Sequence, residues 1–148
     1  MIFRPAIAAL STVALTAIAL TAPQDAQARS NAARYLINQQ IAEGCEGGQG
    51  TFEDAGVIEQ DITGDGRPDL ILDHGGLSCT GGMMTRSLFC GARACSVLIY
   101  VREGDLLVLK EETLSIGAAL GRGTPPVIEL MSHSFQERRI SWDGRRFR

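Results

Sequence analysis

The chain is 148 residues long, with 45% hydrophobic and 21% charged residues and a formal net charge of −3. That mild acidity excludes the broad positive field by which nucleic-acid-binding chains find their partners, and it demands no membrane surface. The length allows one ordinary domain with a single core and is too short for two.

The N-terminus reads as a secretory signal. Arg4 gives a weakly positive start, residues 6–22 form an apolar run mainly of Ala, Leu, Ile, Val and Thr, and Ala26-Gln27-Ala28 supplies a small-x-small cleavage pattern. The run lies at the bottom of the roughly 17–25 residues that span a bilayer, and a cleavage site follows it directly. Cleavage after Ala28 is therefore expected rather than a membrane anchor, with no transmembrane segment afterwards. No Cys stands at the cleavage site, so a lipid anchor is not expected either. Residues 29–148 remain as a single domain at net charge −3, because the leader holds one base, Arg4, and one acid, Asp25. The expected location is the periplasm or the cell exterior.

Export decides how the cysteines read. Cys45, Cys79, Cys90 and Cys95 are even in number, and an oxidising compartment favours two disulfides. Zinc is the competing reading, but these spacings contain no Cys-x2-Cys knuckle. Four cysteines allow three connectivities. The short separation of Cys90 and Cys95 favours their pairing, which would leave Cys45 with Cys79.

Ser30 or Asn31 can cap a helix, and Ala33, Leu36, Ile37 and Ile41 recur at three- and four-residue steps, predicting an amphipathic helix over residues 31–43 that covers a sheet. Gly44 follows, where a left-handed residue commonly ends a helix. From Thr51 the pattern turns to strand. Residues 57–62 and 70–72 predict strands on either side of Asp-Ile-Thr-Gly-Asp-Gly-Arg-Pro-Asp, residues 61–69. Residues 74–93, rich in Gly, Ser, Thr and Cys, read as a long surface excursion held by disulfides.

Residues 96–111 carry the strongest core signal. A turn at Glu103-Gly104 would pair Val101 with Leu106 and Ile99 with Val108 on one face, and Tyr100 with Leu107 and Leu98 with Leu109 on the other. Both faces being apolar, the hairpin is expected in the middle of the protein. Residues 114–120 and 127–131 follow as strands, interrupted by Thr124-Pro125-Pro126. A closing hairpin over residues 138–148 would turn at Asp143-Gly144, with Ile140, Trp142, Arg145 and Phe147 on one face and Arg139, Ser141, Arg146 and Arg148 on the other. The fold class expected is α+β: mainly antiparallel sheet, one N-terminal helix, stabilised by disulfides.

The acidic loop carries the specific chemical message. Carboxylates at its first, fifth and ninth places, a hydroxyl at the third and a glycine at the sixth suit a tight turn that points oxygens at one hard cation, calcium rather than magnesium. The competing reading is a solvated turn. A two-helix calcium hand is excluded because neither flank has helical periodicity. Residues 61–72 resemble the calcium loop of FG-GAP/VCBS-type repeats, in which a strand enters and a hydrophobic strand leaves an Asp-rich loop. That resemblance implies side-chain ligation by Asp61, Thr63, Asp65 and Asp69 and carbonyl ligation by Arg67. Thr63 departs from the family's usual Asn or Asp, and a single copy excludes a whole propeller. The longer arrangement is similar to small exported proteobacterial proteins of unassigned function, with their closing Trp-x-Gly-Arg-x-Phe hairpin, here residues 142–147.

Catalysis finds little support. Asp73, His74 and His133 are the acid–base candidates, but no Ser or Cys stands in a recognisable nucleophile elbow, and Cys90 and Cys95 are not a redox Cys-x-x-Cys pair. Arg138, Arg139, Arg145, Arg146 and Arg148 crowd into the last eleven positions, where they either protect a sheet edge or offer a patch to an anionic partner. The expectation is a non-enzymatic calcium-binding module of the cell envelope, structural or binding in role. The alternative is an exported interaction or inhibitor protein that acts without metal, through residues 74–95 or the arginine face.

Overall fold

The computed structural model describes residues 28–148. The expected signal segment, residues 1–27, lies outside the described residues. The chain forms one helix and nine strands among them: α1 (Asn31–Gly44), β1 (Gln49–Phe52), β2 (Val57–Gln60), β3 (Asp69–Asp73), β4 (Leu77–Thr80), β5 (Cys95–Glu103), β6 (Leu106–Ser115), β7 (Ala118–Gly123), β8 (Pro126–Met131) and β9 (Glu137–Ile140). Every strand pair is antiparallel. No helix among the described residues is long and apolar enough to cross a membrane.

The strands make a four-stranded sheet in the order β2-β3-β5-β6, a three-stranded sheet β7-β8-β9 and a ribbon β1-β4. Alternation along the two inner strands of the first sheet builds the layers. Leu70 and Leu72 of β3, with Leu98 and Tyr100 of β5, turn towards α1 and meet Ala33, Leu36 and Ile37. Ile71, Val97, Ile99 and Val101 turn the other way, onto Ile128, Leu130 and Ile140 of the second sheet and onto Phe147 beyond it. Helix, sheet and sheet thus stack with a core on each side of β3 and β5.

Helix α1 starts where its sequence directs: Ser30 is extended and its hydroxyl accepts the Ala33 amide. Its end differs from expectation. Gly44 is helical rather than left-handed, and it is needed for space. A Cβ there would come within 3.0 Å of Ser87 Oγ, 3.1 Å of Leu77 Cδ2 and 3.2 Å of His74 Cε1. The glycine lets the helix end settle directly on the segment that follows β3.

Both hairpins slip by two residues from the predicted register. Glu103 pairs with Leu106 and Val101 with Val108, so the turn residues are Gly104 and Asp105. Trp142 bridges Phe147, and the Asp143 amide donates to the Arg146 carbonyl, centring that turn on Gly144 and Arg145. In each case glycine takes the first central place, at φ of 61° and 96°, the position that a II′ turn reserves for it. A slip of two preserves which face each residue takes, whereas a slip of one would invert it. The faces therefore hold up to a bulge opposite Ile99 and Tyr100, where Lys110 is the extra residue.

The hairpin is also not central throughout. Residues 95–101 of β5 are buried, but β6 is an edge strand, and Leu106, Leu109 and Leu114 are exposed. The predicted excursion is partly regular: residues 74–76 form a 3-10 turn, and Leu77 and Cys79 of β4 point inward while Ser78 and Thr80 point out.

The disulfides are Cys45–Cys79 and Cys90–Cys95, the favoured pairing. The first joins the end of α1 to β4 across 34 positions and the second closes only 5. On the chain-entropy relation, the long closure contributes roughly 4 kcal/mol and the short one roughly 2. Replacing both cysteines of the 45–79 bridge by alanine should lower the unfolding free energy by about twice as much as the same change at 90–95. Urea melts of the two double variants test this, and equal losses would contradict it.

Candidate functional site

The acidic loop lies between β2 and β3, and its carboxylates perform three different tasks. Asp61 gathers the turn. Its Oδ1 accepts the amides of Thr63 (3.2 Å), Gly64 (2.6 Å) and Asp65 (3.2 Å), and its Oδ2 accepts that of Gly66 (2.8 Å). Gly64 and Gly66 make this wrapping possible with φ near 81° and 83°, in the region that L side chains rarely adopt. The little burial at Asp61 would raise its pKa, but the four amides outweigh that and hold the carboxyl below its usual range.

Asp65 turns outward to Arg67. It accepts from the Arg67 amide at 2.9 Å and from the guanidinium at 2.8 and 3.1 Å. The guanidinium hydrogen bonds lower its pKa. Asp69, the first residue of β3, points inward and is fully buried. Its Oδ2 accepts from the Ile62 amide (3.0 Å) and the Thr63 hydroxyl (3.1 Å), and its Oδ1 from the Arg102 amide on β5 (2.8 Å). Burial raises its pKa despite those donors.

The five predicted ligands thus sit in one turn, and their all-oxygen chemistry fits a hard cation. They do not converge in this conformation. Among the described residues no three Asp, Glu, His or Cys side chains are grouped as a metal would need. Asp65 is committed to Arg67, and Asp69 to the strand base.

The second polar cluster is one that the sequence reading did not assemble. His74 is fully buried at the end of β3. Its Nδ1 lies 2.8 Å from Ser87 Oγ and its Nε2 2.9 Å from Gln40 Oε1 on α1. The Gln40 carbonyl oxygen can only accept, so Nε2 carries the ring proton and Nδ1 accepts from the Ser87 hydroxyl. The ring is held edgewise between Phe52 and Phe89, with centroids at 5.7 and 4.9 Å. Burial drives its pKa down to about 4, only partly opposed by Glu43. The Ser–His–Gln order looks like a nucleophile relay, but Ser87 and His74 are both buried, and a base of that pKa takes up protons poorly near neutrality. Neighbouring Asp73 opens elsewhere, onto a cleft of about 420 Å³ that it shares with Arg86, Arg93 and Gly117. The acid–base candidates Asp73 and His74 therefore face different surroundings. His133 borders a third hollow, beside Arg93 and Leu114.

Gln40 and Ser87 stand 34 and 13 residues from His74, and no motif spacing links them. The available signal was Gln40 itself, an uncharged polar side chain on the stripe that also carries Ala33, Ile37 and Gly44. A polar residue on a buried helical face needs a partner.

The C-terminal arginines are largely neutralised. Arg138 pairs with Glu111, Arg139 with Glu129 and Glu137, and Arg148 with Asp143. Arg145 and Arg146 make no ion pair among the described residues. Strand β9 is an edge of its sheet, a place where charge deters pairing with another chain. Comparison with protein-family models, with curated proteins and with solved structures yields no match.

His74 makes a prediction about acid. Its folded pKa of about 4 lies below the ordinary 6.5, so the unfolded chain takes up the proton first. The stability from keeping the ring neutral is present above pH 6.5 and lost as pH falls from 6.5 to 4, up to about 3 kcal/mol. Buried Asp69 and Asp73 have raised pKa values and act in the opposite sense. The comparison must therefore be with His74→Gln, which keeps both aspartates. The stability advantage of the native chain over that variant should shrink steadily between pH 6.5 and 4. A constant advantage in denaturant melts would contradict the assignment.

Proposed function

We propose that the chain is a non-enzymatic, exported module of the cell envelope whose 61–69 loop takes one calcium ion, in a structural or binding role. The observation that supports this best is the wrapping of Asp61 by four consecutive-turn amides. It folds the loop around a carboxylate and keeps Thr63, Asp65 and the Arg67 carbonyl within the same few residues. Asp61, Thr63, Asp65 and Asp69 would hold the ion through side chains and Arg67 through its carbonyl. The ion would relieve the repulsion among three carboxylates. Asp65 must then exchange the Arg67 guanidinium for the cation; both side chains are exposed, where ion pairs are weak. Two disulfides suit an oxidising compartment.

A second reading rests on a different feature. Met83, Met84, Leu88 and Phe89 are exposed within seven positions, on a segment bracketed by the bridged Cys79 and Cys90. Apolar side chains held out on a clamped loop suit an interaction or inhibitor protein.

Thermal melts in calcium and in chelator test the first reading. At 100 times the dissociation constant calcium should add about 2.7 kcal/mol, a rise of several degrees for a domain of this size. Asp65→Asn should abolish the rise, and Arg67→Gln, which frees Asp65 while keeping a backbone carbonyl, should bring it on at lower calcium. No shift up to millimolar calcium would overturn the metal reading and leave the interaction reading standing.

A further inference from the structure

A groove of about 770 Å³ lies between α1 and β1, away from the acidic loop. Its size falls within the roughly 300–1,000 Å³ of small-molecule sites. The floor is apolar, made by Ile37 and Ile41 of α1 with Phe52 and Val57 from the sheet side. Arg29 and Arg34 also line it, both from the N-terminal side of α1. Among the described residues none that lines the groove is acidic, in a chain whose net charge is −3. The local charge therefore opposes the overall charge.

The two arginines are differently held. Arg29 is oriented by the Val57 carbonyl at 3.2 Å and reaches the fully exposed Asp54 at 3.3 Å. Among the described residues these bonds use two of the donors of its five-proton fork. Arg34 donates to Asn31 at 2.9 Å and makes no ion pair among the described residues. Asp54 is a solvated neighbour on the outside of Arg29 and is not part of the groove. A trough lined by apolar side chains and two guanidinium groups has two chemical preferences. The trough favours a hydrocarbon chain over water, and the arginines favour an oxyanion over a cation or a neutral head.

We propose that this groove binds an amphiphilic carboxylate, a single aliphatic chain with an anionic head, with the chain along Ile37, Ile41, Phe52 and Val57 and the head at Arg29 and Arg34. The charge complementarity selects the head, and the four apolar side chains, set beside the neutral Asn31, Asn38 and Thr51, select the tail. The site is independent of calcium. Among the described residues neither Arg29 nor Arg34 makes a hydrogen bond or ion pair with residues 61–69, so the groove stands or falls separately from the metal reading.

The test is calorimetric titration of the oxidised, exported protein with sodium dodecanoate below its micellar range. Dodecyltrimethylammonium, a neutral dodecyl glycoside and acetate serve as comparison probes. Dodecanoate should bind one to one, and the cationic amphiphile and acetate should bind at least tenfold more weakly. Arg34→Glu should weaken dodecanoate at least tenfold, and Asn38→Trp, which fills the groove from the exposed face of α1, should abolish it. Circular dichroism melts of both variants check that the fold persists. Equal binding of all three dodecyl probes, or dodecanoate binding unchanged in Arg34→Glu, would overturn the proposal. So would a concentration-dependent dimer that Asn38→Trp dissociates, since the groove would then belong to a second copy of the chain.

Discussion

The fold depends on β3, five residues buried on both faces and bounded at each end by an inward-pointing aspartate. The three central side chains, Leu70, Ile71 and Leu72, supply both cores: two face the helix and one faces the second sheet. Burying each such side chain is worth about 1.5–3 kcal/mol relative to exposure. The aspartates are costly by the same logic, and burial raises the pKa of each. They are tolerated because each is met by backbone donors. Asp69 accepts from Ile62 and Arg102 and thereby ties the acidic loop to β5. Asp73 accepts from the Gly75 amide, and the Ala118 amide lies near enough to favour its charged form, setting the 3-10 turn beside the start of β7. One short strand thus joins the loop at one end, the buried histidine at the other and both packing layers between them.

The rest of the molecule is fastened around these two ends. Beyond Asp73, His74 couples α1 to the segment before β5 through Gln40 and Ser87, and Gly44 leaves it the room. The Cys45–Cys79 bridge closes the same region covalently, and Cys90–Cys95 closes the next turn of chain. At the other end, Arg102 uses its amide on Asp69, its guanidinium on the Pro68 carbonyl and the Ser30 hydroxyl, and lies 3.6 Å from Glu59. The acidic loop is therefore anchored at its base through Asp69, and its exposed tip is held more lightly, by the Arg67 guanidinium, which binds Asp65 and also donates to the Arg102 carbonyl at 3.0 Å.

Much of the architecture was legible. Three- and four-residue apolar spacing marked α1, the run apolar on both faces marked β5, and the cysteine spacing favoured the right bridges. What failed was local and has local causes. In both hairpins the dipeptide ending in glycine was read as the whole turn, whereas glycine occupies the first central position and draws the next residue in. The β6 side of the hairpin has leucines enough for a core but lies at the sheet edge, a distinction that only strand order makes. The β4 strand hid between glycine pairs, although Leu77 and Cys79 alternate with Ser78 and Thr80. Within the site, the acidic loop stood out because its residues are contiguous. The roles of its carboxylates did not, since hydrogen-bond direction, not spacing, separates the turn-wrapping Asp61 from the buried Asp69. The histidine network was illegible because its members come from three distant segments.

The most direct measurement of this account is native-state amide exchange in Asp69→Asn beside Asp73→Asn. Local opening can be read amide by amide when it lies below global unfolding. The account predicts faster exchange at Ile62 and Arg102 in the first variant, and at Gly75 and Ala118 in the second, with each set quiet in the other. Uniform acceleration in both variants, or unchanged protection at these four amides, would contradict the claim that the two ends of β3 are separate anchors.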